Sequence, residues 1–504
     1  MRGSLERSIT KSIWHREYPN RQRFDRINDN AETDILVIGA GITGLTAAIE
    51  LAERGHRVIL CEAETIGAGT TAASTGHLDA HPETRATDYL LKLGETTARQ
   101  HTDLRLDAID RIEKLACQRC DFRRIPAYQY CELESERVEL EKDYEAAVKL
   151  GLQASWLENI PIPNAKCGYQ VSSMARIDCG SYLRQLTDVA VDRGVLIFEK
   201  TLVAGPTEEH PTSLKAGDWE IRFKHVVCAV HCNYTDSLTL YAATPAYQTY
   251  VIAAKVMQPP ADALFWDNSD PYYYTRRLKS GDPSIVLVGG RDHRTGAGQE
   301  TERLQELETW LHGRFQVSEI LERWSGEFFE PVDDFPMIGK VAGKENVWIV
   351  TGLSGMGLTW GTAAATLIAD AIAGEPHAVM KSLQPSRTGL SSPLVWLGEQ
   401  ATTVANYANR VMPSSKIDLD ELESGKGTVG NLDGKYMAIC RDQDGCEHRL
   451  SPICPHMGGV LHWNEVEQTW DCPVHGGRFT AAGKRIYGPP EIDMQQISAE
   501  AVSS

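Results

Sequence analysis

Residues 34–62 read DILVIGAGITGLTAAIELAERGHRVILCE, and their pattern decides the fold of the larger part of the chain. An apolar run, ILVIG, turns through Gly39, Gly41 and Gly44 into the helical pattern ITGLTAAIELAERG and returns through the β-branched run RVILCE, which makes one βαβ unit. The first glycine permits the tight turn, the second lets a pyrophosphate approach the backbone, and the third lets helix and strand pack closely. The helix N-terminus then faces the phosphates, and Glu62, eighteen residues after Gly44, can accept ribose hydroxyls. A lone G-x-G-x-x-G is a weak signal; the complete unit with its terminal acid predicts a dinucleotide-binding α/β domain.

Working outward, residues 84–151 carry a helical pattern interrupted by the strand-like IPAYQYCEL, and residues 176–230 read strand, helix, strand and a further strand in HVVCAV. Residues 245–330 hold alternating and aromatic runs such as QTYVIAAKV, YYYTRR and SIVLVGG, which predict an antiparallel sheet. Past Pro336 come the strand NVWIVTG, a glycine-rich turn and the apolar helix TAAATLIADAIAG. From 376 to 415 the chain changes to Pro, Ser and Gly punctuation around one amphipathic candidate helix, PLVWLGEQATTVANYANRVM, and is taken as a linker. Residues 416–504 are short strands between Gly, Asp-Gly and Pro-Pro turns, which predicts a small all-β module.

That last module holds the most specific signal in the chain. Cys454-Pro-His456 and Cys472-Pro-Val-His475 are separated by the fifteen residues 457–471, so two short loops each offer one thiolate and one imidazole. A Cys2His2 zinc site is the competing reading, but its usual spacing keeps cysteine with cysteine and histidine with histidine. The mixed loops, with GKYMAICRDQDG before them and GRFTAAGKRIYGPPEID after them, resemble the Rieske family. By that resemblance Cys454 and Cys472 hold one iron of a [2Fe–2S] cluster, and His456 and His475 hold the other. High-potential respiratory members carry a disulfide between the loops and Ser and Tyr donors to the cluster; the matching positions here are Gly459, Val474, Gly477 and Phe479. With fewer donors to stabilise the reduced state, the potential is expected near the low end of the Rieske range, and a redox titration that returned a respiratory-type value would contradict this.

The βαβ unit does not by itself choose between FAD and a nicotinamide nucleotide. GAGTTAASTG (67–76), ARIDCGSYLRQLTDVAVDRGVLIFEKTLV (175–203) and DFPMIG with VWIVTGLSGMGLTWG (334–361) each resemble blocks of the D-amino acid oxidase and glycine oxidase superfamily, and together they span most of residues 34–372. The resemblance implies FAD, with Thr70 and Thr71 along the flavin, Val203 at the adenine through its backbone, and Gly355, Met356 and Gly357 at the isoalloxazine. A helix N-terminus there would stabilise negative charge on a reduced flavin. Relatives with covalent flavin attach it at positions matched here by Ala73 and Gly326, so non-covalent FAD is expected. Where amino acid oxidases hold the substrate carboxylate with an arginine, this chain has Phe328, which cannot bind one. Arg276, Arg277 or Arg291 replaces that arginine, or the substrate is not an ordinary α-amino acid. Tyr272, Tyr274 and Arg276 share one face of a strand at period two and are candidate pocket residues with Phe328.

The expected architecture is therefore an α/β, Rossmann-like FAD-binding domain with an α+β antiparallel-sheet substrate domain, followed by a small all-β Rieske domain. Its bounds are a 1–33 N-terminal extension, a 34–375 oxidoreductase, the 376–415 linker and the 416–504 Rieske domain. FAD-binding segments lie at about 34–84, 175–235 and 331–375, with substrate-domain segments between them.

Composition narrows the partners. A net charge of -18 repels nucleic acid and anionic membrane, and no apolar run approaches the ~20 residues of a membrane span. The Arg-rich first thirty residues lack an apolar signal core, so a cytoplasmic location is expected. The twelve cysteines are scattered, as in a chain of reduced thiols. His77 and His81, with Asp79 between, would form a metal face on a helix but lack a third ligand; Cys117 and Cys120 read as buried structure, and His293 as a candidate polar pocket residue or an ordinary loop histidine.

The favoured function is a flavin-dependent dehydrogenase that oxidises a small amine or amino-acid-like substrate and passes electrons singly through the cluster to an external one-electron carrier. Two other readings stand beside it. In one, the cluster feeds the flavin of a reductase or hydroxylase; in the other, the chain is a non-enzymatic redox sensor or adaptor, which a closed or apolar pocket would favour.

Overall fold

A computed structural model of the protein describes residues 11–15, 22–207, 212–279, 281–387, 406 and 416–497. Strand Ile35–Ile38 is buried at every position, as an apolar run with no polar face requires, and it lies inside a six-stranded sheet. The sheet runs Met337–Lys340, Val347–Thr351, His225–Cys228, Ile35–Ile38, Val58–Cys61, Leu196–Phe198, parallel except for its first pair. Helices Ile42–Glu53, Gly357–Ile372 and Cys179–Asp192 pack together over it. The Asp178 carboxylate caps the last of them by accepting from the Ser181 amide at 2.9 Å.

The substrate-side sheet has nine strands, eight of them in the order Val317–Phe329, Ala246–Val256, Asp282–Arg294, Tyr273–Lys279, Leu264–Asp267, Arg123–Cys131, Cys167–Arg176, His77–Leu78, with Ala154–Leu157 paired to Cys167–Arg176. It is not wholly antiparallel, because Leu264–Asp267 and Arg123–Cys131 pair in parallel. These strands are joined by a long excursion rather than a hairpin, so nothing in their connection imposes the antiparallel sense. The 30-residue helix Ala86–Leu115 breaks its regularity at Gly94, whose φ of 72° suits glycine.

The described residues before 34 pack against the rest of the chain. Ile13 and Trp14 are buried, the Trp14 indole donates to the Ser74 carbonyl at 2.7 Å, and Ala31–Glu32 adds a parallel strand to Trp219–Arg222. An indole of that size gains more from burial than a free tail would keep in entropy. The amphipathic helix expected over 393–412 lies outside the described residues apart from Asn406, which is helical. Among the described residues no helix is long and apolar enough to cross a membrane.

Residues 416–497 build two small antiparallel sheets, Gly427–Leu432, Lys435–Arg441, Glu447–Leu450 and His462–Asn464, Thr469–Asp471, Arg478–Thr480, Arg485–Tyr487. Trp463, Trp470, Phe479 and Leu450 form their common core with Cys454 and Cys472.

Candidate active site and metal centre

A cavity of about 790 Å³ opens at the C-terminal ends of the parallel strands, where an open α/β sheet places its ligands. Gly39, Gly41, Glu62, Thr70, Thr71, Val203, Gly355, Met356 and Gly357 all line it. Gly44 does not; it serves packing, since a Cβ there would stand 1.8 Å from the Gly39 carbonyl oxygen. Gly39 has a φ of 97°, and a Cβ on it would come within 2.6 Å of the Ala229 carbonyl. The Thr71 hydroxyl accepts from the Ile42 amide at 3.1 Å, which ties the 67–76 loop to the start of the glycine-led helix.

The Glu62 carboxylate accepts from the amides of Ala40 and Glu64, both at 2.9 Å, while burial pushes its pKa up. A dinucleotide therefore fits: the glycine cradle leaves room for phosphates, and the same cavity holds a buried, oriented acid of the kind that accepts ribose hydroxyls. Glu62→Gln should loosen FAD about tenfold, one charge-assisted hydrogen bond's worth, in a fluorescence titration of stripped protein; unchanged affinity would remove Glu62 from the site. Ala73 and Gly326 both line the cavity, and a Cβ on Gly326 would lie 3.9 Å from that of Ala73.

The other end of the cavity is aromatic and acidic. Tyr272, Tyr274, Tyr247, Trp266 and Phe328 line it, with Phe328 stacked on Tyr247 at 6.1 Å between ring centroids. Arg276 shares the strand face of Tyr274 as expected, yet it does not reach the cavity. Its guanidinium is fully buried and donates to the carbonyls of Thr75, Ile177, Arg277 and Leu278. The cavity ends before that rung of the strand, so Arg276 is a packing residue. Arg277 donates to the Pro260 carbonyl and Arg291 to Glu306, and neither lines the cavity.

His293 also misses the cavity and stacks on Tyr250, 5.5 Å between centroids. Its neighbour Asp292 lines it instead, as alternation on a strand dictates. Burial and the nearby Glu83 raise the Asp292 pKa to about 7 against an opposing hydrogen bond from Thr249. Glu83 accepts from the Tyr272 hydroxyl at 2.7 Å and sits against Gly355, where a Cβ would meet its Oε1 at 2.7 Å. Asp79 completes a set of three acids, its carboxylate accepting from the His81 amide at 2.8 Å. Sequence reading missed Glu83 and Asp292; the one signal available was that Asp292 alternates with His293 on a strand leading to the pocket. His77 and His81 do not form a helical metal face, since His77–Leu78 is a strand and His81 follows it in a loop. Cys117 and Cys120 lie beyond the end of the long helix, with Cys120 buried.

In the C-terminal module the two ligand loops repeat one geometry. The Cys454 amide donates to the Gly459 carbonyl at 2.8 Å and the Cys472 amide to that of Gly477 at 2.9 Å; Gly458 and Gly476 close back onto the two cysteine carbonyls, both at 3.0 Å. The positive φ of Gly458 and Gly476, 81° and 74°, allows both loops to turn so tightly. The His456 and His475 rings are 5.2 Å apart, and a Cβ on Gly459 would come within 3.0 Å of the Cys472 sulfur and 2.7 Å of Val474. Among the described residues no three ligand groups converge as one metal ion requires. Two thiols and two imidazoles from facing loops fit a cluster in which each iron takes two protein ligands.

This module is docked on the cavity. Arg485, Ile486, Tyr487 and Gly488 line the same space as Glu62 and Val203. The Tyr241 ring lies 4.7 Å from the His456 ring and 4.8 Å from that of His475. A Cβ on Gly476 would stand 2.6 Å from that of Ala246 and 2.8 Å from the Glu327 carboxylate, and the carbonyl of Glu327 accepts from the Thr70 hydroxyl at 3.2 Å. Glu467 accepts from Gln248 at 3.1 Å and from Ser325 at 2.8 Å, and it pairs with the buried Arg478. Asn406 pins the first ligand loop through both bonds to the Val460 backbone, at 2.9 and 3.0 Å.

Comparison with known proteins agrees with this geometry. The family model described as FAD dependent oxidoreductase matches residues 34–371, and the Rieske [2Fe-2S] domain model matches residues 414–497. The Bacillus subtilis (strain 168) protein YhfW, described as a Rieske 2Fe-2S iron-sulfur protein, is 27% identical over 486 residues, which cover 95% of this chain and 96% of that one. Gamma-glutamylputrescine oxidoreductase of Escherichia coli (strain K12) is 23% identical over 375 residues, covering 70% and 86%. Glycine oxidase from Geobacillus kaustophilus superposes with a TM-score of 0.59 at 17% identity, over 71% of this chain and all of that one.

Proposed function

The chain belongs to the FAD-dependent oxidoreductases and carries a C-terminal Rieske [2Fe–2S] domain, and from that premise we propose that it is a dehydrogenase for a small amine or amino-acid-like substrate. FAD, held without a covalent link, would supply the hydride acceptor for the substrate carbon, and the cluster, held by Cys454, His456, Cys472 and His475, would supply a one-electron relay to an external carrier.

The observation that carries this reading is the shared strand end Glu327–Phe329. Phe328 lines the cavity, the Glu327 carbonyl takes the hydroxyl of the flavin-loop residue Thr70, and the Glu327 carboxylate and Phe329 ring lie against Gly476 beside the cluster ligand His475. Protein atoms thus run from one cofactor site to the other without leaving the packed interior, a fixed wiring that an oxidase discharging to oxygen has no need of. The polar groups at the substrate end support an enzyme rather than a vestigial pocket. In this reading the cluster stands downstream of the flavin; a cluster that feeds the flavin from an external donor is the rival direction.

What remains for the protein is to orient the substrate, exclude water and take up a proton from it. Glu62 and the glycine cradle hold the nucleotide half of FAD, Thr70 and Thr71 flank the flavin, and the aromatic wall shapes the substrate end. Anaerobic mixing with panels of amines, amino acids and hydroxy acids tests the reading: one nitrogen compound should bleach the flavin first and the cluster second. Bleaching by hydroxy acids alone, or of the flavin with no change in the cluster, would overturn it.

A further inference from the structure

We propose that the substrate end of the cavity selects a cationic amine with no carboxylate beside its reacting carbon, held between Glu83 and Asp292, and that Asp292 takes the ammonium proton. The inference deepens the dehydrogenase reading and rests on it for the oxidation step.

Among the described residues lining the cavity the strong cations are Arg85 and Arg485, and both are ion-paired, with Glu139 and Glu64. Arg276, Arg277 and Arg291 are bonded elsewhere, and Phe328 stands where a carboxylate-binding arginine would. A substrate carboxylate would be buried here without a partner, which is strongly unfavourable.

The opposite charge is in surplus. Asp79, Glu83 and Asp292 line the space, and Arg105, beneath it with its guanidinium on the Ala80 carbonyl, sets one positive charge against Asp79 and Glu83 together and none against Asp292. Glu83 Oε2 and Asp292 Oδ1 are shielded from solvent and have no hydrogen-bond partner. Two carboxylates in mutual repulsion, each with a free oxygen, are relieved by one cation between them. Tyr272 and Tyr274, 6.0 Å apart, and Trp266 add ring faces that favour a cation again.

The chemistry follows in balance. The ammonium N–H proton passes to the Asp292 carboxylate, which leaves a lone pair on nitrogen. The electron pair of the adjacent C–H bond then departs with its hydrogen as hydride to oxidised FAD, and the carbon–nitrogen bond becomes the double bond of an iminium. The groups facing Asp292 are Thr249 on one neighbouring strand, Tyr272 and Tyr274 on the other side, and Glu83 across the cavity. His77 stands edge-on to Tyr274 at 5.3 Å, and burial keeps it uncharged by lowering its pKa. With its pKa at about 7, Asp292 is mostly protonated below neutrality and can then neither pair with an ammonium nor accept its proton.

The test is ligand binding to the oxidised holoprotein, read from the flavin's visible spectrum. Butylammonium chloride should perturb it saturably, about tenfold more tightly at pH 8 than at pH 6, while sodium butyrate and sodium chloride leave it unchanged. Asp292→Asn should weaken butylammonium about tenfold or more and flatten its pH profile, and Glu83→Gln should weaken it without flattening the profile. Flavin content checks that each variant is folded; the wild-type pH profile stands whatever the variants do. Perturbation by butyrate in place of butylammonium, no perturbation by either, or a wild-type affinity independent of pH would overturn the inference. Flavin reduction by an α-amino acid with no butylammonium binding would sink it while leaving the dehydrogenase reading in place; pH-dependent butylammonium binding with no amine reducing the cluster would do the reverse.

Discussion

Cys472→Ser is expected to abolish the cluster's visible absorption and bound iron, to leave FAD in place, and to slow transfer from substrate to one-electron acceptors by about a hundredfold or more. Loss of a hydrogen-bond partner of a metal ligand costs roughly 10–100-fold in metal affinity, and loss of a thiolate ligand itself exceeds that. Cys472 is buried beside Gly459 in the module's core, with Cys454 on the facing loop, while the third thiol of that core, Cys440, lies on a strand and is directed to the Ala481 carbonyl at 3.5 Å. Anaerobic reduction of the flavin by substrate should persist in the variant, because the acids and aromatics of the cavity lie on other strands. The check is a pair of stopped-flow traces: flavin bleaching at near wild-type rate, then stalled reoxidation by ferricyanide. Unimpaired transfer to the acceptor in cluster-free protein would show that the flavin discharges directly.

Arg478→Met is expected to loosen the whole C-terminal module. The Arg478 guanidinium is buried and pairs with Glu467 and with Asp471 at 3.0 Å, both themselves buried, while Glu327 of the flavin-binding part adds its attraction. Methionine keeps most of the volume and removes the charge, which leaves three carboxylates facing one another at the docking surface. Breaking a buried pair on one side costs about 3–5 kcal/mol. For a module of this size, about 4–8 °C per kcal/mol, that corresponds to a fall of at least about 12 °C in the melting temperature followed by cluster absorbance. A shift under about 2 °C would mean that water reaches the three acids and that the docking surface is held by other contacts.

Both cofactor signatures were legible because consecutive residues make them. Gly39 to Gly44 build the cradle from one turn, and each ligand loop offers its thiolate and imidazole within a few residues. What the sequence did not expose depends on depth and on distant pairing. Period two placed Arg276 on the face of Tyr274 correctly, yet nothing in a strand tells where a cavity ends, and Arg276 falls beyond it. Glu83 and Asp292 meet only because a loop and a sheet converge, and no spacing rule links them. The docking of the module rests on Gln248 and Glu467, 219 positions apart, and on Ser325 and Glu467, 142 apart. The His77 and His81 pattern was legible but misleading, because a four-residue interval carries meaning only on a helix, and His77 is in a strand.

That flavin and cluster are wired within one chain can be tested without knowing the substrate. In the anaerobic, oxidised holoprotein, laser-flash photoreduction of the flavin is followed by the bleaching of the cluster's visible bands at widely different protein concentrations. Fixed docking through Glu327 and Gly476 requires one first-order phase whose rate is the same at every concentration. A rate that rises in proportion to protein concentration, or a reduced flavin beside an unbleached cluster, would contradict it.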